Sequence, residues 1–345
     1  MTNKIIRIEK ENPDNEQFLV NWMLHDRCTY DCSYCPPANK RGKDDWLKIT
    51  FSKEFVDKLE ARLIEQGQNK NVIVHFTGGE PTVWPKFIEL VDYINSKGWS
   101  VDITTNGSRS LDWWKENAQK FNHISMSYHS EHVDDDEFME KAKYLATELS
   151  YYRFYITVMM NPARWDKCTK FVERLFSGEI ITAFDVRPLQ PDFGLTQIDI
   201  QPYTQEQLNF IGEMHNKVRL EVERIIKSNK KFKLFKWWPT NKTAIAVNKR
   251  DHYVKVEDNG IRTPLSPNEL IFNKQVNFYN WKCNIGLEQI FINSLGNIHG
   301  GTCLQGQLIG NIQDPDNLVW PTGPTTCKAL NCGCYTDIKI TKWKQ

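Results

Sequence analysis

Apolar residues recur along this chain with two alternating periods. From residue 17 to about 228, short runs rich in Val, Ile and aromatics read as strands bounded by turn residues. They are FLVNWML (18–24), NVIVHF (71–76), SVDITT (100–105), HISMSY (123–128), RFYITVMM (153–160) and TAFDVRPL (182–189). Between them the period becomes helical. In FSKEFVDKLEARLIEQG, Phe55, Val56, Leu59, Leu63 and Ile64 share one face. In PKFIELVDYINSKG, Phe87, Leu90, Val91 and Ile94 do the same, and Gly98 predicts the stop. SLDWWKENAQKF, DDDEFMEKAKYLATELS, DKCTKFVERLFSG and TQEQLNFIGEMHNKVRLEVERII predict further helices. Six strand–helix units in a row imply a parallel sheet with right-handed crossovers. A barrel or partial barrel of this kind gathers its chemistry at the C-terminal ends of its strands.

Past about residue 230 the pattern changes. KFKLFKWWPTNK, HYVKVEDNGIRT and QIFINSLGNIHGGTC predict short strands and turns, and the end of the chain is rich in cysteine. The expected architecture is α/β: a partial (β/α)6 TIM-type barrel over 1–230, then a cysteine-rich α+β extension over 231–345.

A formal net charge of +1 on 345 residues gives no global attraction to nucleic acid or to an anionic membrane. No apolar run reaches the 18 or so residues of a membrane span, and MTNKIIRIEKENPDNEQ lacks the apolar core of a signal peptide. The expectation is a cytoplasmic protein with neither a nucleic acid nor a membrane as partner. Nine cysteines are then many, and they cluster: three at 28–35, five at 283–334, and Cys168 alone. In a large chain without a secretion signal, clusters point to metal or iron–sulfur sites rather than disulfides.

CTYDCSYC places Cys28, Cys32 and Cys35 on one loop after the first predicted strand. Three thiolates can hold three irons of a [4Fe–4S] cluster, with the fourth iron needing another ligand. A zinc site completed by a His or a distant Cys is the other reading of the same triplet. The spacing CxxxCxxC at this place resembles the signature of radical S-adenosylmethionine (SAM) enzymes. Three further segments carry the resemblance. FTGGEPT (76–82) resembles the GGE motif, which implies that the backbone at Gly78 and Gly79, together with Glu80, holds the SAM amino group. TTNGS (104–108) resembles the family's TNG segment, placing Thr105 and Asn106 near SAM. SMSYHS (125–130) places Ser127 at a ribose-contacting position, and Tyr34 matches an aromatic beside the adenine. Arg187 in DVRPL points either at the SAM carboxylate or into a structural salt bridge.

The resemblance implies that SAM occupies the open iron through its amino and carboxylate groups. An electron from a low-potential donor such as flavodoxin or ferredoxin then cleaves SAM to methionine and a 5′-deoxyadenosyl radical, which removes a hydrogen atom from the substrate. The protein's part is to position substrate and exclude solvent.

Cys283, Cys303, Cys327, Cys332 and Cys334 lie in WKCNIGLEQIFINSLGNIHGGTC and CKALNCGCYTDIKITK. A cysteine, a hairpin with a turn glycine and a second cysteine resemble the start of SPASM or twitch extensions. Here Gly296 precedes Cys303 by seven positions, longer than the usual interval, and the tail has too few cysteines for two clusters. One auxiliary [4Fe–4S] cluster using four of the five is expected, with structural zinc or buried free thiols as the other readings.

The remaining signals are weaker. KSNKKFKLFKWW (227–238) reads as a strand with lysines outward rather than a nucleic-acid grip. EHVDDDEF reads as an acidic helix start. His25, His75 and His129 fall near strand ends, and Cys168 reads as a packing residue. The expected substrate is either a small sugar or aminocyclitol, oxidised by two electrons, or a ribosomal peptide. Only about 17 residues precede the first predicted strand, which leaves no room for an N-terminal peptide-recognition domain. A non-catalytic iron–sulfur or zinc scaffold, or an electron carrier, is the competing function.

Overall fold

The computed structural model describes residues 4–12, 17–36, 40, 42, 46–68, 71–149, 153–180, 182–189, 202–227 and 253–344. The expected boundary near 230 and the lysine-rich stretch from 228 onward lie outside the described residues.

The chain opens with β1 (Ile5–Lys10) and then alternates: β2 (Gln17–Met23), α1 (Ile49–Glu65), β3 (Asn71–Thr77), α2 (Phe87–Ser96), β4 (Ser100–Thr105), α3 (Leu111–Asn117), β5 (His123–Tyr128), α4 (Asp135–Glu148), β6 (Phe154–Met160), α5 (Trp165–Phe176), β7 (Ala183–Pro188) and α6 (Gln205–Lys227). In α1, Phe55, Val56, Leu59 and Leu63 of the expected face are buried, whereas Ile64, in the last turn, is exposed. Ser110 caps α3 by accepting from the Trp113 N–H, and Asp134 caps α4 by accepting from the Asp136 and Glu137 N–H groups. Gly98 follows α2 with φ +75°, a conformation that favours glycine.

Strands β2 to β7 lie side by side in sequence order and pair in parallel. Along each, alternate residues face opposite sides of the sheet. One side is apolar and packs into the main core: Val72, Val74 and Phe76 on β3, and Ile124, Met126 and Tyr128 on β5. The intervening positions are different in kind. They carry His75 on β3, Ser125 and Ser127 on β5, Thr157 on β6 and Arg187 on β7. Parallel strands buried on both faces usually read as continuous apolar runs. Polar side chains on one face mark the side where chemistry, rather than packing, sets the residue type.

The later elements are β8 (Tyr253–Glu257), β9 (Arg262–Pro264), α7 (Pro267–Phe272), β10 (Lys282–Cys283), β11 (Gln289–Ile292), β12 (Asn297–His299), β13 (Leu308–Asn311), β14 (Thr325–Thr326), α8 (Tyr335–Ile338) and β15 (Lys342–Trp343). β11 pairs in parallel with β2, and β12 and β13 follow it antiparallel, giving a nine-stranded sheet ordered β13-β12-β11-β2-β3-β4-β5-β6-β7. A second, six-stranded antiparallel sheet is ordered β14-β10-β15-β1-β8-β9. β1 precedes every strand predicted from the pattern, because IIRIEK buries only Ile8 and interleaves it with charge. Its partners, β8 and β15, lie far along the chain.

Candidate active site

The loop after β2 carries Cys28, Cys32 and Cys35, and it lies directly on the loop after β3. The Gly79 N–H donates to the His25 carbonyl at 2.9 Å and the Glu80 N–H to the Arg27 carbonyl at 2.8 Å. A Cβ on Gly78 would meet the His25 oxygen at 2.3 Å, and one on Gly79 the Arg27 oxygen at 1.9 Å. Only glycine lets the two backbones approach this closely.

Glu80 is held by protein donors from two loops. It is 0% exposed. Its carboxylate accepts from the Thr82 N–H and hydroxyl, the Thr105 hydroxyl and the Asn106 N–H, the last at 2.7 Å. It therefore ties the β3 loop to the β4 loop, with both oxygens occupied by protein donors. Burial pushes its pKa up, against the pull of those hydrogen bonds.

Asn106 carries the tie on to the cysteine loop. Its Nδ2 lies 3.5 Å from Cys28 Sγ and donates to Thr29 Oγ1 at 2.9 Å. The Tyr30 N–H reaches Cys28 Sγ at 3.4 Å. Tyr34 stacks on His129, with its hydroxyl 2.7 Å from His129 Nδ1. That same nitrogen is 3.7 Å from Cys32 Sγ. Glu131 accepts from the Ser33 N–H and hydroxyl and from Asn161, pinning the cysteine loop to the segment after β5. Sequence reasoning took Glu131 for part of an acidic helix start. Nothing local marks it, because its partners are distant in sequence. Ser127 is buried, opposite Thr157, and Arg187 lies at the register of Met159 on the far strand of the parallel set.

Burial raises all three thiols: Cys32 to about 12, Cys35 to about 11, and Cys28 above its ordinary value. Binding a metal core as thiolates must release these protons. Among the described residues, the close three-ligand grouping is Cys32, Glu131 and His132, whose ligand atoms lie within 4.8 Å of one another. Glu131 already has three donors there. Three thiol donors on one loop fit three irons of a four-iron core, which binds thiolates.

The second cysteine group surrounds one cavity, lined by Cys283, Cys303, Cys327 and Cys332 with Phe278 and Lys342. Cys334 does not line it, and its sulfur lies 3.1 Å from Thr336 Oγ1. Asp337 holds the wall together, accepting from Gln289 Nε2 and from the Thr302 and Cys303 N–H groups. Burial raises Cys283 to about 11 and moves Cys303 and Cys332 in the same direction. Asn21 on β2 donates to Thr302 and Thr336, joining this region to the parallel sheet.

Of the other candidates, Cys168 is fully buried in α5, in contact with the Met159 carbonyl. His75 lies 2.8 Å from Thr104 Oγ1. His25 is buried against Trp46, and its Nδ1 accepts from the Arg27 N–H.

The family model described as the Radical SAM superfamily matches residues 22–134. The mycofactocin maturase MftC of Mycobacterium tuberculosis (strain ATCC 25618 / H37Rv) is 32% identical over 90 residues, which are 26% of this chain and 21% of the maturase. The S-adenosylmethionine-dependent nucleotide dehydratase of Flammeovirga pacifica is 33% identical over 113 residues, 32% of this chain and 38% of that protein. The alignments thus span well under half the length of these curated relatives. Streptococcus suis SuiB bound to precursor peptide SuiA aligns over 86% of this chain and 63% of that one, at 13% identity and a TM-score of 0.49.

Two outcomes follow from the site's geometry. Glu80→Gln keeps the shape but turns an amide N–H2 toward protein donors, so the metal-free chain should lose about 1–3 kcal/mol of stability in urea titrations. An unchanged midpoint would contradict the tie. Burial lowers the His25 pKa to about 4. A depressed histidine contributes stability above its unfolded pKa of about 6.5 and loses it as pH falls toward 4. Stability of the metal-free chain should therefore fall by about 2 kcal/mol from this group by pH 5. His25→Asn, which can still accept from Arg27, should flatten that dependence, and parallel pH profiles would contradict it.

Proposed function

We propose that the chain, whose residues 22–134 match the Radical SAM superfamily model, is a radical SAM enzyme oxidising a polar substrate held against the polar face of its parallel sheet. The six strand–helix units would form the partial (β/α)6 barrel. Cys28, Cys32 and Cys35 would hold the first [4Fe–4S] cluster, and Cys283, Cys303, Cys327 and Cys332 an auxiliary one. When bound, the first cluster and SAM supply a 5′-deoxyadenosyl radical that takes a hydrogen atom from the substrate. The observation that carries this reading is the backbone contact between the cysteine loop and Gly78–Gly79. It supports a loop that would hold iron lying beside the loop expected to hold the SAM amino group.

The chain's own residues have definite tasks in this reading. Gly78 and Gly79 leave backbone, rather than side chain, against the His25–Arg27 start of the cysteine loop. Glu80 and Asn106 fix the β3 and β4 loops around them. Ser127 and Arg187 are offered for the ribose and carboxylate of SAM. Two-electron oxidation requires that, after hydrogen abstraction, one proton and one electron leave the substrate. An iron–sulfur cluster held by the four cysteines would supply the acceptor for that electron, and a donor such as flavodoxin or ferredoxin would reduce the first site. The substrate would be a small sugar or aminocyclitol. Peptide modification is the second reading, favoured by the match to the maturase over 90 residues.

Under dithionite and SAM, the reconstituted chain should form 5′-deoxyadenosine. Single Cys28→Ala, Cys32→Ala and Cys35→Ala variants should abolish it, while Cys334→Ala should retain it. Nucleoside formation that survives loss of any one of the three would contradict the reading.

A further inference from the structure

Lys342 is a buried lysine that nothing above puts to use. It is 2% exposed. On β15 it stands directly opposite Cys283 of β10. Its Nζ lies 3.9 Å from Cys332 Sγ and 4.8 Å from the Phe278 ring centroid, and it donates to the Asp337 and Ile338 carbonyls at 2.5 and 3.1 Å. Leaving an ammonium inside a protein is costly unless it meets a counter-charge. Lys342 and Asp337 are the charged residues lining the cavity. The Asp337 carboxylate faces elsewhere, toward Gln289 and the Thr302 and Cys303 N–H groups. Besides the Cys332 sulfur, Lys342 bonds the carbonyls at the end of α8, so its charge has no carboxylate bonded to it among the described contacts.

We infer that Lys342 is the built-in counter-charge of the auxiliary iron–sulfur site, placed against two of its thiolate ligands. The inference rests on the auxiliary-cluster reading proposed above. A [4Fe–4S] core with four thiolates is negative, and reduction adds one further negative charge. A fixed cation beside the sulfurs favours the reduced form, because net charge and hydrogen bonds to sulfur set a cluster's potential. Lys342 thus raises the potential of this site and suits it to receiving an electron. It acts through the cluster and is a positioning and tuning residue.

The competing explanation is a strap: Lys342 merely caps the end of α8. The two separate in the full-length chain with Cys28, Cys32 and Cys35 replaced by Ala, so that iron is held at the auxiliary site alone. The reduction potential is read by EPR-monitored titration of anaerobically reconstituted protein. Lys342→Gln keeps an N–H donor for the carbonyls and removes the charge, Lys342→Met removes both, and Lys342→Arg keeps the charge. The Gln and Met variants should titrate at lower potential, with Arg close to the parent. Gln and Met variants with full iron and the parent's potential would overturn the inference. If the uncharged variants bind no iron, iron retained by Lys342→Arg upholds the need for charge, and iron lost there too overturns it in favour of packing. A parent without iron, with Lys342 intact, would overturn the auxiliary-site reading itself and the inference with it.

Discussion

Two backbones in contact govern the site. The loop of Cys28 to Cys35 lies against Gly78 and Gly79 with no side chain between them, joined by N–H groups of one loop donating to carbonyls of the other. Any Cβ at Gly79 would overlap the Arg27 carbonyl. Once those loops are in register, the rest follows outward. Glu80, buried beneath the contact, gathers Thr82, Thr105 and Asn106, and Asn106 reaches back to Cys28. Glu131 closes the other side by holding Ser33. The thiols are held by loops after three successive strands and by the segment after a fourth, which is where a parallel sheet concentrates its functional groups.

That sheet also explains why one set of strands serves both stability and chemistry. The face toward the helices is apolar and forms the main core. The other face carries hydroxyls, imidazole and guanidinium at matched register. β11 continues this sheet beyond β2, so the cysteine-bearing C-terminal segments attach to the same framework through main-chain pairing and through Asn21.

The parallel strands and their helices were legible because periods of two and of 3.6 residues are written directly in the apolar positions. β10, β14 and β15 were not, since two residues cannot show a period. β1 was missed because its single buried residue gives no alternation to read. At the site, the cysteines and glycines were visible as types at a spacing. The protein partners of Glu80, Tyr34 and Glu131 were not, because they lie on other strands' loops. Nothing in ITKWKQ marks Lys342, and the pairing of β15 with β10 carries it inside.

The proposed chemistry needs the two cysteine groups to serve two separate iron–sulfur sites. The decisive measurement is iron and acid-labile sulfide counted per chain, on anaerobically reconstituted wild-type protein with zinc measured alongside. About eight irons and eight sulfides per chain, from two four-iron cores, is the predicted result. Zinc retained at the tail cysteines with only about four irons, or no iron at either group, would contradict it.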